Sequence, residues 1–342
     1  MRTEALHGFV EQVFIQLGIP ERAASVVSEA LVAADLEGIA SHGVMLVPMY
    51  VERMLAGSVS KNIEAVLISD NENAIVLDAG HALGQLTSTQ ATRLAVESAR
   101  KHGFAAVAVR NGFHFGTAGY WARSIAAEGL IGIVMCNTRA LMPAPGGAER
   151  LVGNNPLAIA LPGDPELVVD MAMSASAMGK IRLAAAEGKP IPQGWAADAQ
   201  GKPTTDAAAA IKGMLLPAAG PKGFGLAAAI DLLCAGLSGG ALADEVGLLY
   251  GDPAKPYGCS HLFLALDAAR FGATDFEDRV SRFSGKIRES KRAAGVERVF
   301  APGDVERARR AENGDECPVS ADVMAKLREC GARLGVSLKG LS

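Results

Sequence analysis

The sequence predicts an α/β protein in which helical chain ends enclose a strand-rich centre, and three observations predict it. Residues 3–17 and 20–37 place apolar side chains at helical spacing. Short apolar runs punctuated by Gly and Pro fill 66–170, and residues 275–291, 303–313 and 320–334 return to helical character. With 342 residues, 49% of them hydrophobic, the chain can bury a large core as two domains or one discontinuous one.

Pro20 suits the first turn of the second helix, whose Val27, Leu31 and Ala34 share a face. Ser41-His42-Gly43 opens a third helical segment that runs through Tyr50 and stops at Gly57. Strands are predicted at 66–68 and 74–78, a helix at 84–101, a strand at 105–110 and a helix at 118–128. Further strands follow at 131–136, 157–161, 167–170 and 263–266. Helices are predicted at 173–187 and 223–237, and the turn before Phe263 reads as buried.

Composition excludes several classes of function. Acids and bases are interspersed, and a net charge of -4 leaves no basic stripe for nucleic acid. The apolar stretch from Leu226 to Leu237 contains Asp231 and is too short to span a bilayer, so it reads as a buried helix. Cys136, Cys234, Cys259, Cys317 and Cys330 are odd in number and widely separated. That pattern fits a reduced, cytoplasmic location and no metal site. The N-terminus lacks a basic segment followed by an apolar run, so no signal peptide is expected.

Two histidines carry the chemistry. His42 lies in Ser41-His42-Gly43 and His114 in Asn111-Gly112-Phe113-His114-Phe115-Gly116, both tight polar or glycine-flanked settings. Reducing a carbonyl or imine by hydride builds charge on oxygen or nitrogen, and an imidazole can donate the proton that quenches it. Ser41 could orient substrate, or it could cap a helix that His42 merely begins. Phe113 and Phe115 could equally anchor a loop around a satisfied His114 ring. Arg139, with Thr138 beside it, could hold a carboxylate or pair with a surface acid. No Gly-x-Gly-x-x-Gly follows an early strand. Instead, the run 173–180 and Gly220-Pro221-Lys222-Gly223 offer hydroxyls, amides and cations to phosphates, or form packing turns.

Taken in order, Ser41-His42-Gly43, Asn111 through Gly116, Pro145 through Glu149, Asn155-Pro156, Asp170-Met171-Ala172, Gly179-Lys180 and Lys222-Gly223 resemble the malate/L-lactate dehydrogenase family of the second, non-Rossmann type. The resemblance covers nearly the whole chain. It implies a mainly antiparallel central sheet, a homodimer, and NADH or NADPH as cofactor. It casts His42 as proton donor and acceptor, with His114 in the same pocket in an acid–base or cofactor-contact role. Asp170, Met171, Ala172, Ser174, Lys180, Lys222, Gly223, Gly303, Asp304 and Glu306 fall in cofactor-contact regions. Leu46 stands where the family usually has an arginine for the substrate carboxylate, which leaves Arg139 as a replacement or the pocket open to a less polar substrate.

The expected organisation is an N-terminal helical and catalytic segment (1–115), a strand-rich cofactor-binding region (116–284) and a C-terminal helical segment packing on the first (285–342). The expected function is reversible hydride transfer to a 2-oxo acid or cyclic 2-imino acid. The alternatives are a less polar carbonyl or hydroxy substrate, or a cofactor-binding regulatory protein without activity.

Overall fold

The computed structural model describes residues 1–338. α1 (Thr3–Gln16) and α2 (Glu21–Leu36) form the first layer. The α1 side chains Leu6, Phe9, Val10, Val13 and Phe14 follow the three-and-four spacing of one helix face, and all are buried. Pro20 sits just ahead of α2, its carbonyl accepting the Ala23 and Ala24 amides.

The expected third helix is broken. Two single 3₁₀ turns, Ala40–His42 and Val44–Leu46, precede α3 (Val47–Leu55). The cause lies beneath Gly43, which is extended and pressed against the Asp35 carboxylate. A Cβ on Gly43 would fall 2.2 Å from Asp35 Oδ2. Asp35 also accepts the Val44 amide at 2.7 Å. Contact with a buried carboxylate therefore overrides helix propagation and shapes the His42 turn.

The remaining elements are β1 (Val66–Asn71), β2 (Ala74–Asp78), α4 (Gly84–His102), β3 (Phe104–Gly112), α5 (Ala118–Ala126), β4 (Ile131–Cys136), β5 (Leu157–Leu161), β6 (Leu167–Met171), α6 (Met178–Ala186), β7 (Ala196–Ala197), β8 (Pro203–Thr204), α7 (Ala207–Lys212), β9 (Met214–Leu215), α8 (Pro221–Asp231), β10 (Cys259–Leu266), α9 (Phe276–Arg288), α10 (Asp304–Asn313) and α11 (Ala321–Arg333). Seven strands form one sheet in the order β1-β2-β3-β10-β4-β5-β6, and only the β2–β3 pair is parallel. A mainly antiparallel sheet of this order is not a doubly wound nucleotide fold, which agrees with the missing glycine fingerprint.

Three further expectations are corrected, and one element is added. The helix placed at 173–187 starts only at Met178, because the Met173 and Ala175 amides are taken by the carbonyls of Asn154 and Leu216. The turn before Phe263 is strand: β10 begins at Cys259 and pairs with both β3 and β4. The stretch from Leu226 to Leu237 is not wholly buried. Ala227, Ile230 and Cys234 face the core, whereas Leu226, Leu232, Leu233 and Leu237 are exposed, and α8 loosens into a π turn at Leu232–Gly236. The small sheet β8-β7-β9 was not anticipated, its strands being too short to show a period.

The chain ends meet. Cys317 donates its amide to the Met1 carbonyl and Thr3 to that of Asp315, each at 2.7 Å, while Asn313 Nδ2 donates to Leu36 O. A boundary at 115/116 does not divide the sheet, since β3 pairs with β10 across it, and one at 284/285 falls inside α9. Among the described residues no helix is long and apolar enough to cross a membrane.

Candidate active site

β3 delivers the first histidine loop. At its end Asn111 takes a left-handed backbone (φ +51°), and its Nδ2 donates to both Asp78 carboxylate oxygens at 3.0 Å. Arg110 Nε donates to the same carboxylate at 2.9 Å. Burial opposes charge on Asp78, but the Asn111, Gly80 and Arg110 hydrogen bonds outweigh it and hold the carboxyl below its ordinary value. Beyond His114, Trp121 Nε1 donates to the Phe115 carbonyl at 2.9 Å, and the Phe115 ring stacks on His261 at 4.4 Å. The loop is thus pinned on both sides of the imidazole.

His42 and His114 converge: their ring centroids lie 5.4 Å apart with the planes tilted by 31°. Both residues are half-buried, so neither ring is sealed in the core. Ser41, on the exposed side, places Oγ 2.9 Å from His42 Nδ1. Tyr50, fully buried on α3, sets its hydroxyl 2.7 Å from His114 Nδ1 and 3.2 Å from the His114 carbonyl. Gln85 Nε2 donates to the Tyr50 oxygen at 3.2 Å, and the Gly116 amide donates to His114 Nδ1 at 3.3 Å. Burial pulls the His42 pKa down to about 4. Burial, with the nearby His42 and His261, takes that of His114 well below its ordinary value. Both imidazoles are therefore neutral near pH 7.

The end of β6 approaches the start of α5, which follows the His114 loop. Asp170 accepts the Gly119 amide at 2.8 Å, in the first turn of α5, directly beyond Thr117, which caps that helix. Burial in this recess pushes the Asp170 carboxyl up to about 6 against that hydrogen bond, while its outer edge stays wetted. Met171 and Ala172 continue outward and are exposed. The segment 173–175, ahead of α6, pairs with 216–218, ahead of α8, through Ala175 N to Leu216 O and Ala218 N to Met173 O. Lys180 and Lys222 stand exposed, and among the described residues neither has an acidic partner within 4.0 Å.

Other expected cofactor contacts are committed elsewhere. Ser174 is buried and donates to the Ser176 carbonyl. Gly223 is required by packing, since a Cβ there would lie 2.1 Å from the Ala218 carbonyl oxygen. Asp304 is buried in ion pairs with Arg288 at 2.8 Å and Arg307 at 2.7 Å, which hold its carboxyl far below the ordinary range. It therefore anchors the start of α10 rather than facing a ligand. Gly303 precedes that helix, where Pro302 O accepts the Val168 amide of β6, and Glu306 is half-buried in the first turn.

On the substrate side, Leu46 is 1% exposed and packed among core side chains, so it presents no surface to a substrate. Thr138 donates its hydroxyl to Asn154 Oδ1 at 2.9 Å and its amide to Asn155 Oδ1, which holds the loop. Arg139 is half-buried with no acidic partner among the described residues. Its pKa is lowered by burial first, then by the positive field of Arg150 and, more weakly, Arg182.

Sequence reasoning missed the supports. Tyr50, Gln85 and Asp35 carry no motif of their own. Asn137, Asn155 and Asp231 form a buried network, with Asn137 Nδ2 2.9 Å and Asn155 Nδ2 3.3 Å from the Asp231 carboxylate, tying β4, β5 and α8 together. The structure also gathers Cys136, Cys259 and His261, whose donor atoms lie within 4.8 Å of one another. Burial pushes the Cys136 thiol well up, against the thiolate a metal would need.

Two neutral imidazoles facing each other suit proton transfer, and the exposed Lys180 and Lys222 suit an anionic ligand. The family described as malate/L-lactate dehydrogenase matches residues 1–328. A malate dehydrogenase of Pyrococcus abyssi is 36% identical, over 99% of this chain and 95% of its own length. The structure of sulfolactate dehydrogenase from Methanocaldococcus jannaschii superposes with a TM-score of 0.94 at 32% identity, covering 99% of this chain and 98% of that one. That of delta1-piperideine-2-carboxylate reductase from Pseudomonas syringae gives 0.86 at 27% identity, covering 96% and 99%. The fold and the relatives are those of NAD(P)-dependent dehydrogenases. The chain belongs to the malate/L-lactate dehydrogenase family.

Proposed function

We propose that the protein interconverts a 2-oxo acid or cyclic 2-imino acid and its reduced form, using NADH or NADPH in the reducing direction. The observation that carries this reading is the approach of His42 to His114. Both rings are neutral, so the pair is ready to accept a proton from a hydroxy or amino group during oxidation. In reduction one imidazole must first be protonated, and an anionic substrate arriving beside it favours that form.

The residues present fit a dinucleotide. Lys180 and Lys222 are uncompensated cations in the first turns of α6 and α8 and would hold its phosphates, with Asp170 to Ala172 along the strand end. When bound, the nicotinamide supplies or takes up the hydride. The chain's own residues orient the substrate, exclude water and move the proton.

Arg139 is the residue we assign to the substrate carboxylate. A half-buried guanidinium with no acid partner and other arginines near it is relieved by an anion, and its planar fork suits a carboxylate. A less polar substrate remains the second reading because no arginine stands at position 46, although the buried Leu46 supplies no apolar wall for it. A homodimer in the cytoplasm completes the proposal, with light scattering of the purified protein as the check on assembly. The deciding experiment is parallel oxidation of NADH and NADPH with pyruvate, oxaloacetate, cyclic imino acids and carboxylate-free analogues. Turnover that requires the carboxylate is expected; failure to bind or oxidise either cofactor across the panel overturns the proposal.

A further inference from the structure

We infer that the two histidines have different jobs, fixed by Tyr50 and the Gly116 amide: these hold His114 as its Nε2–H tautomer, a stationary hydrogen-bond donor, and leave His42 to carry the proton. The inference rests on the dehydrogenase reading above and deepens it by separating the roles within the pair.

The argument is one of hydrogen-bond supply. His114 Nδ1 faces the Tyr50 hydroxyl at 2.7 Å and the Gly116 amide at 3.3 Å. A backbone N–H can only donate, so a proton on Nδ1 would set two donors against each other and strand a buried amide. Gly116 has no other acceptor among the described residues. Tyr50 could in principle turn its hydrogen to the His114 carbonyl, but that oxygen lies farther away, at 3.2 Å. Gln85 already donates to the Tyr50 oxygen, which leaves the hydroxyl hydrogen free to point at Nδ1. The ring hydrogen therefore sits on Nε2, which meets no protein acceptor among the described residues and is free for a substrate oxygen.

His42 is supplied differently. Its Nδ1 meets only the exposed Ser41 hydroxyl, at 2.9 Å. A hydroxyl rotates, donating to a bare Nδ1 or accepting from a protonated one, so both charge states of His42 stay satisfied. A group that cycles a proton needs that freedom, and a group that only stabilises charge does not. In reduction the substrate carbon gains hydride with its electron pair, and the C=O π pair takes the proton of the His42 imidazolium to become O–H. His42 returns to neutral and is reprotonated by solvent through its half-exposed edge. His114 keeps its Nε2–H throughout and lends it to the oxygen as charge develops.

The test is nitrogen NMR of protein labelled with ¹⁵N-histidine, with His42→Gln and His114→Gln used for assignment. Between about pH 5 and 8, His114 is expected to show a bare Nδ1 and a protonated Nε2 without titrating, while His42 exchanges between tautomers. A protonated Nδ1 on His114, or titration of both rings together, overturns the inference, and this readout needs no substrate. With oxaloacetate or whichever compound of the panel turns over fastest, His114→Gln, which keeps an N–H donor, should lose at most about 10-fold in kcat, and His42→Gln about 10³-fold. Equal losses overturn it. Tyr50→Phe should let His114 populate its second tautomer and lower kcat about 10-fold while leaving KM for the dinucleotide in place. An unchanged His114 spectrum in that variant removes Tyr50 from the role. If no compound turns over but the wild-type spectrum is as expected, the substrate assignment fails and the division between the histidines stands.

Discussion

On the proton-transfer side, His114 is gripped by Tyr50 and Gly116, its loop is pinned by Asp78 and Trp121, and the His42 turn rests on Asp35. On the cofactor side, Lys180 and Lys222 stand exposed without partners, and Met171 and Ala172 run along an open strand end. The first region is organised before anything binds, and the second presents charge that a ligand must neutralise. Proton transfer rewards fixed geometry within tenths of an ångström, whereas a flexible anionic dinucleotide needs cations free to meet it. Substitutions in the two regions should therefore fail in different parameters.

The largest effect is expected on the organised side. His42→Asn should lower kcat about 10³-fold while the dinucleotide dissociation constant, read by fluorescence, stays within about 2-fold. A comparable rise in that constant would erase the distinction between the regions. Next, Arg139→Leu should reduce kcat/KM for a carboxylate substrate by about 10- to 100-fold, as expected for one charged hydrogen-bonded contact, and spare carboxylate-free analogues. Equal losses for both substrate types would leave Arg139 a structural residue.

The pH profile sharpens the comparison. Oxidation needs neutral His42, and burial lowers its pKa to about 4. In the free enzyme, kcat/KM for oxidation should stay level down to about that pH and then fall about tenfold per unit, measured within the folded range. Reduction needs the imidazolium, so its kcat/KM should fall about tenfold per unit as pH rises above the same pKa. On the open side, Lys222→Ala should raise the dinucleotide dissociation constant only about 3- to 10-fold, with the difference shrinking in 1 M salt because exposed charge is screened.

The smallest effect concerns the support under His42. Burial raises the Asp35 carboxyl to about 7, partly offset by the Val44 amide. A raised acid favours folding below its unfolded value and loses that contribution as pH climbs through the folded one. Asp35→Asn keeps an acceptor for Val44 and removes the buried charge. It should therefore raise Tm by a few degrees, about 2–4 °C, at pH 8 and by less at pH 5.

Much of this architecture was legible in the chain. The helical spacing of Leu6, Phe9, Val13 and Phe14 and the short apolar strands follow from local periodicity, and the structure contains them. Ser41-His42-Gly43 and the run from Asn111 to Gly116 stood out because polar and glycine-flanked histidines are unusual on packed faces. The resemblance puts Ser174 and Asp304 in cofactor-contact regions, but a sequence displays a donor or charge without showing whether a partner already holds it. Leu46 was placed at the substrate by the family resemblance, which has an arginine there, and it lies in the core.

The residue types fixed in advance which elements could form and which side chains were able to move a proton or hold an anion. They did so because backbone preference and side-chain chemistry are local properties. Whether a given imidazole is free to titrate depended on what came to rest against it from far along the chain, as Tyr50 does against His114. That was decided only in three dimensions, where the supply of donors and acceptors around each nitrogen is set by packing and not by neighbours in sequence.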